Sequence, residues 1–153
     1  VGEIPFYSFK NSIVLRTNFL AFGHFKTSFL DWLITSIKEK LDVNVYTDVL
    51  FNPTTPYNIA ENILICFKKK LAGVFNLGCK TGWSKAQLFK EISVKLNYVN
   101  QNVSYTQCPQ NEVKRPLDMR MNTIKAKKNG LQILENRQVI DYILESSNES
   151  IYS

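Results

Sequence analysis

The spacing of hydrophobic and polar residues changes period several times along the chain, and each change marks an element. Ile13, Val14 and Leu15 are consecutive apolar residues with the polar exit Arg16-Thr17-Asn18. That pattern predicts a short strand buried on both faces, as in parallel sheets. Gly23 and His24 follow in a turn. Leu30, Leu33, Ile34, Ile37 and Leu41 then recur at helical spacing behind Thr27 or Ser28 as N-cap. Residues 43–47 alternate as a short strand.

Residues 52–56, Asn-Pro-Thr-Thr-Pro, predict a rigid loop, because two prolines interrupt any regular element. A second helix is expected from Tyr57 to Lys70, burying Ile59, Ile63, Cys66 and Phe67 alongside Ala60 and Leu64. Residues 73–77 read as a strand closed by Gly78. Ser84 and Gln87 have the spacing of a capping box, opening a helix that buries Leu88, Phe89, Ile92 and Leu96. Residues 103–107 predict one more strand, before a loop containing Lys114-Arg115-Pro116. Thr123 starts a short helix stopping near Gly130, and Asn136 caps a last helix burying Val139, Ile140, Ile143 and Leu144. The alternation of strands and helices argues for an α/β protein.

Composition narrows the chemistry. The 153 residues are 44% hydrophobic and 21% charged, enough for one domain with a core. No apolar run approaches the roughly 20 residues of a membrane span, so no membrane association is expected. The opening Val1-Gly2-Glu3 has no leader pattern, and the expectation is a cytoplasmic fragment or processed chain. The three cysteines, Cys66, Cys79 and Cys108, lack Cys-x-x-Cys spacing, and His24 is the only histidine. Reduced thiols are expected, and neither a zinc site nor a histidine-based hydrolase fits. A net charge of +6 favours anionic ligands.

Neither Gly-x-Gly-x-x-Gly nor Gly-x-x-x-x-Gly-Lys-Ser/Thr occurs. The chain alone is therefore not expected to bind a dinucleotide or nucleoside triphosphate through the usual glycine-rich turn. Tyr7 and Lys10 are three residues apart directly ahead of a strand, where packing accounts for them better than a catalytic Tyr/Lys pair.

Residues 13–23, Ile-Val-Leu-Arg-Thr-Asn-Phe-Leu-Ala-Phe-Gly, resemble the late strand of extended short-chain dehydrogenase/reductases, most closely the dTDP-4-dehydrorhamnose reductase group. The rest stays in register with that group. Residues 48–61 are similar to its Pro-Thr loop and following helix, and residues 73–78 to its Gly-x-Tyr/Phe-x-Leu strand. Arg115-Pro116, then Met121-Asn122-Thr123 and Lys125, are similar to its Arg-Pro and Leu-Asp-Thr-x-Lys pair. Two departures stand out: Asn58 where the group often has Asp, and Phe19 where rhamnose-type reductases tend to carry Trp.

The resemblance implies the C-terminal part of an NAD(P)-binding, Rossmann-type enzyme, an incomplete sheet with flanking helices. Residues 1–12 would end the helix after the catalytic Tyr-x-x-x-Lys, residues 13–145 would be the sugar-nucleotide-binding portion, and 146–153 a frayed tail. The complete enzyme would be an NAD(P)-dependent reductase of carbohydrate biosynthesis, or an epimerase or dehydratase relative. Its glycine-rich cofactor turn and Tyr-x-x-x-Lys would lie in a missing N-terminal half, leaving this chain inactive alone.

Asn18 and Phe19 would stand at the C-terminal end of the first strand, where open α/β sheets place ligands, and would hydrogen-bond and stack on the nucleotide-sugar. The alternatives are a turn cap and core filling. Arg115 offers a bidentate fork to the diphosphate, with a solvated arginine as the alternative. Arg120 could do the same or pair with a carboxylate, and His24 and Lys26 follow the strand in the loop bordering the site. Asn52, Thr54 and Thr55 are explicable by turn chemistry, and Trp83 by a hydrophobic contact before a cap. Lys68, Lys69 and Lys70 suit a helix C-terminus, and Lys125, Lys127 and Lys128 a solvated face. The rival is a non-catalytic basic or regulatory module engaging nucleic acid or a partner enzyme. The aromatics fall at core spacing rather than among the basic residues, which argues against nucleic acid.

Overall fold

A computed structural model describes residues 3–23, 25, 27–98, 102–110 and 116–149. A 3-10 helix over Ile4–Ser8 leads into β1 (Ile13–Thr17). Then follow α1 (Phe29–Lys38), β2 (Val43–Tyr46), β3 (Leu50–Phe51), α2 (Pro56–Lys69), β4 (Gly73–Leu77) and β5 (Trp83–Ser84). The chain continues through α3 (Lys85–Lys95), β6 (Val103–Thr106), α4 (Ile124–Lys128) and α5 (Asn136–Glu149).

The chain is α/β, with parallel pairing between strands far apart in sequence. β1 pairs with β4 from Ile13↔Gly73 to Thr17↔Leu77, and β2 with β6 from Val43↔Val103 to Tyr46↔Thr106. The short antiparallel pair β3–β5, which the hydrophobic pattern does not announce, joins Phe51 to Trp83.

Local sequence sets the helix starts. Ser28, not Thr27, caps α1: its hydroxyl accepts the Asp31 N–H at 3.1 Å, and Asp31 Oδ2 accepts the Ser28 N–H at 2.9 Å. Ser84 and Gln87 make the same reciprocal box at α3, each cap contributing about 0.5–2 kcal/mol. Pro56 does not hold the chain out of a helix. It occupies the first position of α2, where a missing N–H costs nothing, behind Thr55 as cap. Helix α1 ends at Lys38 rather than near Leu41, and Leu41 is exposed. Asn136 does not cap α5: its side chain reaches back to residues 81–82, accepting from the Thr81 hydroxyl at 2.9 Å and donating to the Gly82 carbonyl at 2.9 Å. The capping contact comes from Gln138, whose side chain accepts the Glu135 N–H at 2.8 Å. Helix α5 runs through Glu149.

Two cores hold these elements. The larger contains Leu30, Leu33, Ile37, Phe51, Trp83, Leu88, Phe89, Ile92, Val139 and Ile143, joining α1, α3, α5 and the β3–β5 pair. Trp83 is a core residue there, as its place before the cap suggested. The smaller holds Cys66, Phe75, Leu77, Ala126 and Leu131 under the β1–β4 pair.

Two expectations about burial fail together. β1 is half-buried rather than covered on both faces, because Ile13 and Leu15 pack on the smaller core and β4 is its one partner strand among the described residues. Helix α2 is rotated from the expected face. It buries Asn58, Asn62 and Cys66, while Leu64 and Phe67 are exposed. The asparagines are inside because they tie the helix to neighbouring backbone, and a buried amide is tolerated when its hydrogen bonds are made.

Candidate functional site

The parallel pair β1–β4 delivers Asn18 and Phe19 to its C-terminal end. There the chain meets the Pro-bounded loop. The Thr54 N–H donates to the Asn18 carbonyl at 2.8 Å, and the Leu20 N–H to the Thr54 carbonyl at 3.0 Å, so Phe19 and Thr54 form a parallel bridge. Phe19 is not core filling: it is 59% exposed and stands open at the strand end. The Asn18 side chain donates to the Met119 carbonyl at 2.9 Å, tying the strand end to residues 117–121. That segment is also stitched to β3, the Leu50 N–H donating to Leu117 at 2.7 Å and the Met119 N–H to Leu50 at 2.8 Å.

Asn52 locks the other side of this junction. Its amide nitrogen donates to the carbonyls of Cys79 at 3.1 Å and Met121 at 2.9 Å, while its oxygen accepts the Met121 N–H at 2.8 Å. A side chain at Gly78 would collide with the Asn52 carbonyl, so glycine permits the close approach. Beneath the loop, Thr54 Oγ1 donates to Asn58 Oδ1 at 2.8 Å, and Asn62 donates to the Asn58 and Gln132 carbonyls at 3.0 Å each. Asn62 Oδ1 in turn accepts the Gln132 N–H at 2.7 Å.

Of the residues singled out from sequence, Asn18 and Phe19 therefore meet at one place, with Met119 beside them. Arg120 is engaged by its own loop, donating from Nε and Nη2 to Asp118 at 2.9 and 2.7 Å. The guanidinium beside Asp118 and the Arg120 N–H together hold that carboxyl down to about 2. Arg115, His24 and Lys26 lie outside the described residues. The scaffold asparagines Asn52 and Asn62 were not singled out as tethers. For Asn62 the available signal was its spacing from Asn58, four residues apart on α2.

The basic clusters are partly consumed by structure. Lys69 donates to the Asn129 carbonyl at 3.1 Å, and Lys125 to the Val74 carbonyl at 2.8 Å, with its ammonium 4.6 Å from the Phe75 ring centre. Cys66 and Cys79 are free and buried, and burial pushes the Cys79 thiol up to about 11. Neither serves as a nucleophile in that state. Among the described residues no helix is long and apolar enough to cross a membrane, and no group of histidine, cysteine or carboxylate side chains is placed to hold a metal.

Gly78 and Gly82 face the backbone of Asn52 and Phe51 rather than open space. At the turn after β1, the Gly23 N–H donates to Asp31 Oδ2 at 2.9 Å, so the start of α1 already holds a carboxylate where a phosphate would sit. The apolar groove of about 320 Å³ lies elsewhere, lined by β1 and α2 and touching none of Asn18, Phe19 or Arg120.

The profile of the RmlD substrate binding domain family matches residues 6–148. No curated protein sequence matches the chain. Among solved structures, dTDP-4-dehydrorhamnose reductase from Bacillus anthracis, in complex with NADP, superposes with a TM-score of 0.74 at 18% identity, over 88% of this chain and 48% of that one. The Clostridium acetobutylicum dTDP-4-dehydrorhamnose reductase gives 0.74 at 18% identity, over 89% and 49%. UDP-N-acetylglucosamine 4-epimerase from Methanobrevibacter ruminantium, in complex with UDP-N-acetylmuramic acid, gives 0.65 at 15% identity, over 95% and 49%. These likenesses show a shared Rossmann-like reductase and epimerase fold, and the chain spans about half the length of the structures it matches.

Proposed function

The chain belongs to the RmlD substrate binding domain family, and from that premise we propose that it is the nucleotide-sugar-binding portion of an NAD(P)-dependent sugar-nucleotide reductase. The observation that carries this is the junction at the C-terminal end of β1, where Asn18, Phe19, Thr54 and Met119 converge. Ligands of open α/β sheets sit at that end of the strands. The nucleotide-sugar complex of the Methanobrevibacter epimerase supports the same ligand class.

In this reading each residue has a stated task. The exposed Phe19 ring supplies a stacking face for the sugar or base. Asn18 fixes the strand end against Met119, and the Asn52 tether holds residues 119–121 beneath it. Arg115, one residue before Pro116, forks onto the diphosphate, with His24 and Lys26 adding positive charge at the rim. Arg120 stays neutralised by Asp118 and lends less field to an anion than a free arginine.

In this reading the nicotinamide cofactor is held by a separate half of the complete enzyme, which the lack of Gly-x-Gly-x-x-Gly in this sequence supports. No catalytic step is assigned to this chain. Its contribution is to bind and orient the substrate, which raises the effective concentration of the reacting carbon at the other half.

Calorimetric titration of the chain and of Phe19→Ala with dTDP-glucose tests the reading. Binding by the parent and at least about tenfold weaker binding by the variant, a loss of about 1.4 kcal/mol or more, is the expected result. Tight binding of NADPH or of a single-stranded oligonucleotide, with none of dTDP-glucose, would favour the rival binding module.

A further inference from the structure

Helix α5 buries Val139, Ile140 and Ile143, and it presents a second, polar stripe of Asp141, Tyr142 and Glu145. That stripe and the first two turns of α2, with Tyr57, Asn58 and Glu61, line a cleft of about 450 Å³. None of Asn18, Phe19 or Met119 touches it. The chain carries 19 lysines and arginines against 13 carboxylates, yet among the described residues every charged side chain lining this cleft is acidic. Arg137 reaches Asp141 at 3.8 Å, but its side chain is 83% exposed and the pair is loose. One wall atom is unexplained. Asn58 is 1% exposed, and its Oδ1 accepts from Thr54 Oγ1 at 2.8 Å and Asn62 Nδ2 at 3.1 Å. Its N–H donates to Thr55 Oγ1 at 3.1 Å and its carbonyl accepts from Asn62 Nδ2 at 3.0 Å. Its Nδ2 is left without a partner. Turning the amide over would set that NH2 against the Asn62 NH2, so the orientation is fixed by its neighbours.

We propose that the α2–α5 cleft binds a small hydroxylated amine of the aminosugar class, its ammonium among Glu61, Asp141 and Glu145 and a hydroxyl oxygen on Asn58 Nδ2. The site is separate from the strand end and does not rest on the reading under Proposed function. Three carboxylates without a lining base repel an anion and attract a cation. The cation is organic, because no group of side chains among the described residues is placed to hold a metal. Two tyrosines in the wall suit it, since aromatic rings receive both ammonium groups and the apolar face of a sugar ring. A buried donor is nearly always paired, so the Asn58 Nδ2 calls for an acceptor on the same ligand. A simple alkyl polyamine meets the carboxylates but offers that donor nothing, whereas a hydroxylated amine meets both. The volume is that of an ordinary small-ligand cleft.

The test is an NMR titration of the isotope-labelled chain with glucosamine, with glucose and putrescine as the comparison ligands. Glucosamine is expected to saturate at a dissociation constant of about 1 mM, shifting the Asn58 side-chain NH2 and the backbone amides of Tyr57, Glu61, Asp141 and Glu145. Glucose, which lacks the charge, and putrescine, which lacks the hydroxyls, should each bind at least about tenfold more weakly. The double variant Glu61→Gln, Glu145→Gln keeps side-chain size on two helix surfaces and should lose at least about tenfold in glucosamine affinity. Its response to dTDP-glucose should match the parent's. Glucose binding as well as glucosamine would remove the role of the carboxylates, and putrescine binding more tightly would remove that of Asn58. Either result would overturn the proposal. So would an unchanged glucosamine affinity in the double variant, no saturation by about 30 mM, or saturable shifts that leave the Asn58 NH2 unmoved.

Discussion

Asn52 and Met121, sixty-nine residues apart, exchange a pair of hydrogen bonds: the Asn52 amide donates to the Met121 carbonyl at 2.9 Å and accepts the Met121 N–H at 2.8 Å. One side chain thus behaves as a short piece of β-ladder, holding the loop after β3 against the segment that follows residue 116. Because Asn52 also donates to Cys79, it joins the three segments whose relative placement defines the strand-end site.

Asn52→Ala removes these bonds and leaves the part-buried Met121 N–H and carbonyl and the buried Cys79 carbonyl without their partner. Each unsatisfied buried group costs about 1–3 kcal/mol, and water entering the gap offsets part of that. The expected loss is about 3 kcal/mol of unfolding free energy, read from urea denaturation. A loss below about 0.5 kcal/mol would mean that the tether is dispensable.

The two faces of α2 should respond in opposite order to ordinary hydrophobic expectation. Asn62→Leu abolishes bonds to Asn58 and Gln132 and is expected to destabilise the chain by about 2–3 kcal/mol. Phe67→Ser, on the exposed face, should change stability by less than about 0.5 kcal/mol in the isolated chain. Thermal melts of both variants decide it, and a larger loss for Phe67→Ser would contradict the observed orientation of the helix.

Much of the fold was legible in the residues. Ser84 with Gln87 announced its capping box, residues 73–77 their strand, and Ile13 to Leu15 a strand in parallel pairing. What escaped was set by contacts distant in sequence. Periodicity could not see that Asn58 and Asn62 would meet Thr54 and Gln132, and so assigned the wrong face of α2 to the core. Asn136 reads as a cap by type, but Thr81 and Gly82 are better partners once the chain brings them close. The two-residue strands β3 and β5 are too short for any alternation to show. The sequence put Asn18 and Phe19 at the C-terminal end of β1, where they stand, whereas the Asn52 tether depends on Met121, which no local pattern connects to it.

The Asp118–Arg120 pair predicts a pH response with a definite sign. The folded carboxyl titrates near 2, below its ordinary 3.8, so it binds its proton less readily in the folded chain. Its contribution is therefore present above about pH 4 and is lost as the pH falls toward 2. Carboxyl NMR titration should show this midpoint in the parent and a return toward 3.8 in Arg120→Ala. An unchanged midpoint would mean the pair does not form in solution.

Arg115→Ala should weaken nucleotide-sugar binding by roughly 30- to 1000-fold, about 2–4 kcal/mol, because a bidentate diphosphate contact is lost. Arg115→Lys should recover only part, as an ammonium keeps the charge without the planar fork. Replacing Lys68, Lys69 and Lys70 together is the control and should barely alter affinity. A larger effect from the lysines would move the site away from residue 115.

The most direct test of nucleotide-sugar recognition at the end of β1 is an NMR titration of the isotope-labelled chain with dTDP-glucose, followed at every backbone amide. The account predicts saturable shifts centred on Asn18, Phe19, Leu20, Thr54 and Met119, with the far ends of α2 and α5 unmoved. Saturable shifts confined to the groove between β1 and α2, or no shifts at millimolar ligand, would contradict it.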